Sequence, residues 1–175
     1  MVKDGVLAPA KDLEFCSFVQ SKHRKIGEAW EHRRWLARRL VPGNASAAAR
    51  ELSFCGTMAA AYRRNYYAWT HRAWVCKWLD DAALHAEFNT MEDWLRRNVS
   101  DHSAMSHRQL LLLRLLQGPV EADTVASWPL CDPPSWEPVF ACGLLGRELA
   151  LSSYLISTYP DHEALWCHRR FVMTC

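Results

Sequence analysis

A chain of 175 residues, half of them hydrophobic and 23% charged, is long enough for one domain with a sizeable core and too apolar for a disordered segment. Its net charge of +2 supplies no concentrated basic face for nucleic acid, and no run of about 18 apolar residues offers a membrane span. Seven cysteines without a Cys-x-x-Cys pair, and Lys3, Asp4, Lys11, Asp12 and Glu14 where a secretory leader would be apolar, read as reduced thiols in a cytoplasmic protein.

In chain order, the first predicted helix covers about residues 9–22, and a second follows through "EAWEHRRWL" (Glu28 to Leu36). An Ala-rich, helix-favouring stretch covers about 45–63. Asn65 then serves as an N-cap for "NYYAWTHRAWV", where Tyr66, Trp69, Ala73 and Trp74 fall at helical spacing. A further helix covers about 81–97, and Asp101 can cap "HSAMSHRQLLLLRLL". Gly118 to Pro138 holds five of the eight prolines and cannot be one regular element. After it come a helix at about 139–158 and a last one through "HEALWCHRRFV", with Asp161 after Pro160 as its start signal. No segment reads as a strand. The prediction is eight helices in four hairpins, with repeats at about 9–40, 45–80, 81–117 and 139–175 and a Pro-rich insertion at 118–138.

One motif recurs in the second helix of each pair. Trp-x-His-Arg stands at Trp30, His32, Arg33, at Trp69, His71, Arg72 and at Trp166, His168, Arg169; the third copy keeps His107 and Arg108 with Met105 in place of Trp. The histidines are spaced by 39, 36 and 61 residues, so the period is in the thirties with an insertion before the last copy. Such a period marks stacked helical hairpins. On a helix the Trp and Arg are neighbours, while the His points about 200° away from the Trp. The Trp is therefore expected to pack between hairpins. His and Arg are expected to bond to the next repeat. This is a stacking device, and no nucleophile, base and acid emerge from it. The cysteines are scattered, and Cys167 and His168 diverge as neighbours on a helix, so no metal site is expected on this chain.

The pattern Asn-Tyr-x-x-Trp-x-x-Arg on helical hairpins, with "RNYYAWTHRAWV" as its fullest copy, resembles the protein prenyltransferase α-subunit repeat family. The tetratricopeptide pattern is absent. The resemblance covers nearly the whole chain and implies a right-handed α–α superhelix that wraps a β subunit. The β subunit holds the catalytic zinc and the isoprenoid pocket, so this chain needs no cofactor of its own. The implied reaction is transfer of a prenyl group, geranylgeranyl by this resemblance, to a protein cysteine thiol. The implied partner is a β subunit of the Rab geranylgeranyltransferase type, with the acceptor protein and prenyl diphosphate bound through the heterodimer.

In such α subunits a Lys in the repeat before the fullest copy reaches the prenyl diphosphate, and Lys25, five residues before Trp30, stands at that position. Asn65 and Tyr66 match the family's substrate-binding positions, and Tyr67 stands where His is common; a Tyr can still donate a hydrogen bond to phosphate. Two departures stand beside these matches. Ile26-Gly27 replaces Asn-Tyr, and Glu28 replaces a frequent Gln and would repel an acceptor's terminal carboxylate unless protonated. The rival reading is a non-catalytic repeat scaffold that binds proteins. The last helix ends without a Gly or Asn cap soon after Trp166, and the expectation is of a fragment or a spliced form.

Overall fold

Pro9 starts the first helix because its fixed φ suits the first helical position and its missing N–H costs nothing there. The computed structural model describes residues 8–117 and 138–175, with the side chains of 138–142 left aside. Every regular element among them is a helix: α1 (Pro9–Lys22), α2 (Gly27–Leu40), α3 (Ala45–Ala61), α4 (Tyr66–Cys76), α5 (Asp81–Arg97), α6 (His102–Gln117), α7 (Pro138–Thr158) and α8 (Glu163–Thr174). They pair in sequence as four hairpins, α1·α2, α3·α4, α5·α6 and α7·α8. The all-α expectation holds among the described residues. The insertion expected at 118–138 lies outside the described residues except for Pro138, which opens α7. No described helix is long and apolar enough to cross a membrane.

The chain forms two compact units, Met1–Leu79 and Asp80–Cys175. In the first, Ala37, Val41, Ala47, Ala48 and Val75 form a buried cluster backed by Leu52, Trp74 and Leu79. The turn that makes this possible is Val41-Pro42-Gly43-Asn44. Pro42 stops α2, Gly43 takes φ +70°, which suits a residue without a β-carbon, and the Asn44 side chain accepts from Ala47 N to start α3. The second unit buries Leu84, Phe88, Met91, Leu95, Leu111, Leu112 and Leu165.

The caps read from sequence at Asn65 and Asp101 are present: Asn65 Oδ1 accepts from Ala68 N at 3.3 Å and Asp101 Oδ1 from Ala104 N at 3.1 Å. Asp161 is not a cap. Helix α8 begins at Glu163, so His162 holds the capping position, and its ring turns away to meet Ser100 Oγ at 2.6 Å. Asp161 stands one residue too early for its carboxylate to serve the first turn.

Candidate functional site

Each repeat histidine bonds through Nε2 to a carboxylate 20 residues earlier on the first helix of its own hairpin. The pairs are His32–Asp12 at 3.1 Å, His71–Glu51 at 2.7 Å, His107–Glu87 at 2.9 Å and His168–Glu148 at 3.0 Å. The arginine that follows reaches onward. Arg33 donates from Nε and Nη2 to both oxygens of Glu51 at 2.9 and 2.7 Å, and Arg108 makes the same fork with Glu148. The third guanidinium nitrogen ties back to the arginine's own hairpin: Arg72 to Leu52 O at 2.7 Å, Arg108 to Phe88 O at 2.6 Å, Arg169 to Leu149 O at 3.4 Å. The expectation that both His and Arg face the next repeat is thus half right. The Arg does so. The His, about 200° from the Trp, faces the partner helix of its own hairpin instead.

A buried Arg–Glu–His group costs little only if every charge has a partner. Burial alone raises the Glu51 carboxyl, but hydrogen bonds from His71 and Arg33, with the Arg33 charge, outweigh it and hold the group below its ordinary 4.5. Burial lowers His71 below its ordinary 6.5, against the pull of Glu51 and with help from Arg33 and Arg34. A neutral ring that donates from Nε2 leaves Nδ1 without a proton. Nδ1 is buried and has no hydrogen-bond partner, which suits a neutral ring better than a buried imidazolium. Both depressed values have one sign. Their stabilisation is complete above pH 6.5 and declines as pH falls, first through His71 and then, below 4.5, through Glu51. The denaturant midpoint of this unit is expected to fall steadily on acidification from pH 7 to 4 (roughly the window these groups span). His71→Gln should flatten the upper part of that fall, and a midpoint that rises on acidification would contradict the assignment.

Asp12, Cys16 and His32 bring one potential ligand atom each within 4.8 Å of one another, a grouping the sequence spacing hid. The trio is the first hairpin's copy of the acid–His pair. Cys16 lies one turn after Asp12 as Cys55 lies one turn after Glu51. Burial, Asp12 and Glu51 push the Cys16 thiol up against the weaker pull of Arg33, so it stays protonated, unlike a thiolate poised for a metal or an attack.

The turn between α1 and α2 carries the other predicted residues. Arg24 O accepts from Trp30 Nε1 at 3.0 Å and from Asn65 Nδ2 at 3.3 Å, which ties this turn to the start of α4. Asn65 is fully buried; its carbonyl caps α4 and its amide positions the turn. Lys25 is exposed, with Nζ 4.4 Å from the centroid of the Tyr62 ring. A β-carbon added at Gly27 would lie 3.2 Å from the Tyr67 hydroxyl, so Tyr67 covers the place where the second hairpin meets the first turn. Tyr66 and Tyr67 are both exposed and pack edge to face. Lys22, Arg63 and Arg64 are exposed on the same two turns, and Arg64 takes φ +59° immediately before Asn65. Structure therefore brings Lys25, Tyr62 and Tyr67 to one basic, aromatic rim. It leaves Trp30, Arg33, Trp69, His71, Arg72, His107, Arg108 and His168 buried in the packing layers, His32 and Arg169 half-buried at their edge, and Trp166 exposed, against the expectation that it packs between hairpins. Tyr62 was not anticipated, and no sequence signal marks it.

The model of the protein prenyltransferase alpha subunit repeat matches residues 48–79, 84–115 and 145–175. The hairpin at Pro9–Leu40 lies outside these stretches, yet its Asp12–His32 pair repeats their geometry. The chain is 32% identical over 209 residues to protein prenyltransferase alpha subunit repeat-containing protein 1 of Homo sapiens, covering 98% of this chain and 52% of that protein. To the protein of the same name in Danio rerio it is 34% identical over 210 residues, covering 98% and 48%. The chain thus spans about half the length of the curated relatives it matches. A model match over more than half the residues, on hairpins joined by the same acid–His–Arg layers, places this chain in the protein prenyltransferase alpha subunit repeat family.

Proposed function

We propose that this chain acts as the α subunit of a cytoplasmic, heterodimeric protein prenyltransferase that transfers geranylgeranyl to protein cysteine thiols. The β partner, of the Rab geranylgeranyltransferase type, would carry the zinc and the isoprenoid pocket. The observation that supports this reading is the rim at the α1–α2 turn, where Lys25 stands exposed beside Tyr62 and next to a turn held by Asn65. The thiolate forms a bond to the first prenyl carbon as the carbon–oxygen bond breaks, and the diphosphate leaves with growing negative charge. An ammonium held at that spot gains interaction as the charge grows, which is what lowers a barrier. Tyr67 can donate a hydrogen bond to the same group. A protein-binding scaffold without catalysis is the second reading; Glu28, exposed two helical residues into α2, favours it because it would repel an acceptor carboxylate.

Co-expression with prenyltransferase β subunits tests both readings. The reconstituted heterodimer is expected to transfer geranylgeranyl, and the single chain is not. Lys25→Ala should leave dimer formation intact, because one exposed ammonium adds little to a large interface. It should slow single-turnover transfer by ~30- to 150-fold, the effect of one electrostatic donor, and Lys25→Arg should recover part. Failure to associate with any β subunit removes the enzymatic reading, and unchanged turnover removes Lys25 from the site.

A further inference from the structure

The four acid–His pairs differ at the residue four places after the acid, one helical turn on and on the same face. That residue is Cys16 in α1, Cys55 in α3, Met91 in α5 and Ser152 in α7. Cys55 accompanies a carboxylate whose two oxygens are both taken by the Arg33 fork. The first hairpin is different. Asp12 is 6% exposed, and its one hydrogen-bond partner among the described residues is His32 Nε2 at 3.1 Å. A buried carboxylate calls for a positive partner. No described guanidinium or ammonium grips Asp12 in the way that Arg33 grips Glu51 and Arg108 grips Glu148. Cys16, 4% exposed, and His32 each place a ligand atom within 4.8 Å of the Asp12 carboxylate and of each other.

We infer that Asp12, Cys16 and His32 form a zinc site that clips α1 to α2. Two ligands one turn apart on one helix and a third from its antiparallel partner converge on one point. Oxygen, sulfur and nitrogen are the donors that zinc takes in a tetrahedron, at about 2.0–2.3 Å, whereas calcium and magnesium call for oxygen alone. Those bond lengths set ligand-to-ligand edges of about 3.3–3.7 Å, so the three atoms have to close in by about 1 Å at most. The His32 side chain, 41% exposed and stacked on Trp35, has room for that movement, and its open side leaves the fourth position to water. The Cys16 thiol is protonated at rest, because burial disfavours the thiolate. Forming the zinc–sulfur bond breaks the S–H bond and releases the proton to solvent, with no change of oxidation state. Arg33 is near enough to act on that sulfur, but Glu51 already matches its charge. From Asp12 to the end of α1 at Lys22 is about 15 Å along the helix. The site is therefore separate from the Lys25 rim, and it does not rest on the enzymatic reading.

The test uses the full chain, reduced and freed of metal, titrated with cobalt(II) as the spectroscopic stand-in for zinc. One equivalent is expected to give the intense visible bands of a tetrahedral ion and a sulfur-to-cobalt charge-transfer band. One equivalent of zinc should then erase both. Cys16→Ser should remove the charge-transfer band. His32→Gln should weaken zinc binding by more than the ~10- to 100-fold that loss of an outer partner of a metal ligand costs. His32 is half-exposed, so this variant decides the matter even if Cys16→Ser, at a buried position, fails to fold. Zinc at a concentration that saturates the native chain should raise its urea midpoint and leave that of His32→Gln where it was. Weak octahedral cobalt bands without a sulfur band, a charge-transfer band that survives Cys16→Ser, or equal zinc affinity in His32→Gln would each overturn the inference.

Discussion

Glu51→Ala is expected to destabilise the Met1–Leu79 unit by about 3–5 kcal/mol. The carboxylate holds two groups at once, the Arg33 fork at 2.9 and 2.7 Å and His71 at 2.7 Å, and all three side chains are buried. Its removal leaves a guanidinium 2% exposed with no opposite charge, and water cannot reach it without opening the layer. Glu148→Ala should do the same to the second unit, where Arg108 and His168 share that carboxylate. Urea unfolding of the purified chain measures both. Replacing Arg33, Glu51 and His71 together by apolar side chains of similar volume should cost less than Glu51→Ala alone, because no charge is then stranded. A triple variant worse than the single one would mean that packing, and not charge, sets the cost.

Trp30→Ala should cost about 3–5 kcal/mol, the usual loss when a buried indole leaves a cavity. The ring is 2% exposed, lies 5.9 Å from Phe54 and 5.7 Å from His71, and donates to the turn that carries Lys25. Trp166 occupies the same register in α8 but is 51% exposed, so Trp166→Ala should cost less than about 1 kcal/mol. Thermal or urea melts of the two variants side by side read the difference. Equal losses would show that α8 packs against more than the described residues.

Much of the fold was legible because the repeat states itself four times. Helical spacing around Trp69 and caps at Asn65 and Asp101 each mark an element by a local rule. The layers were less legible. Asp12, Glu51, Glu87 and Glu148 stand 20 residues before each histidine, and that constant interval was available in the sequence. It went unread because helical spacing relates residues within one helix, and each acid and its histidine stand on two different helices. Only the antiparallel return of the hairpin shows which acid meets which histidine. The direction of the His side chain followed from the helical turn alone; its partner did not. At the candidate site, Lys25 was placed by register and resemblance. Its neighbours Tyr62 and Tyr67 come from another hairpin, and no spacing rule brings them there.

Each shared carboxylate belongs to two hairpins at once. Arg33 of the first grips Glu51 of the second, and Arg108 of the third grips Glu148 of the fourth. A hairpin that peeled away on its own would abandon a bare ion in the neighbour it left. Fraying one repeat at a time, the ordinary way in which a modular array comes apart, is therefore penalised inside each unit. The two hairpins of a unit open together or stay closed, so the smallest piece of this protein that behaves as a cooperative element is a pair of repeats and not a single one.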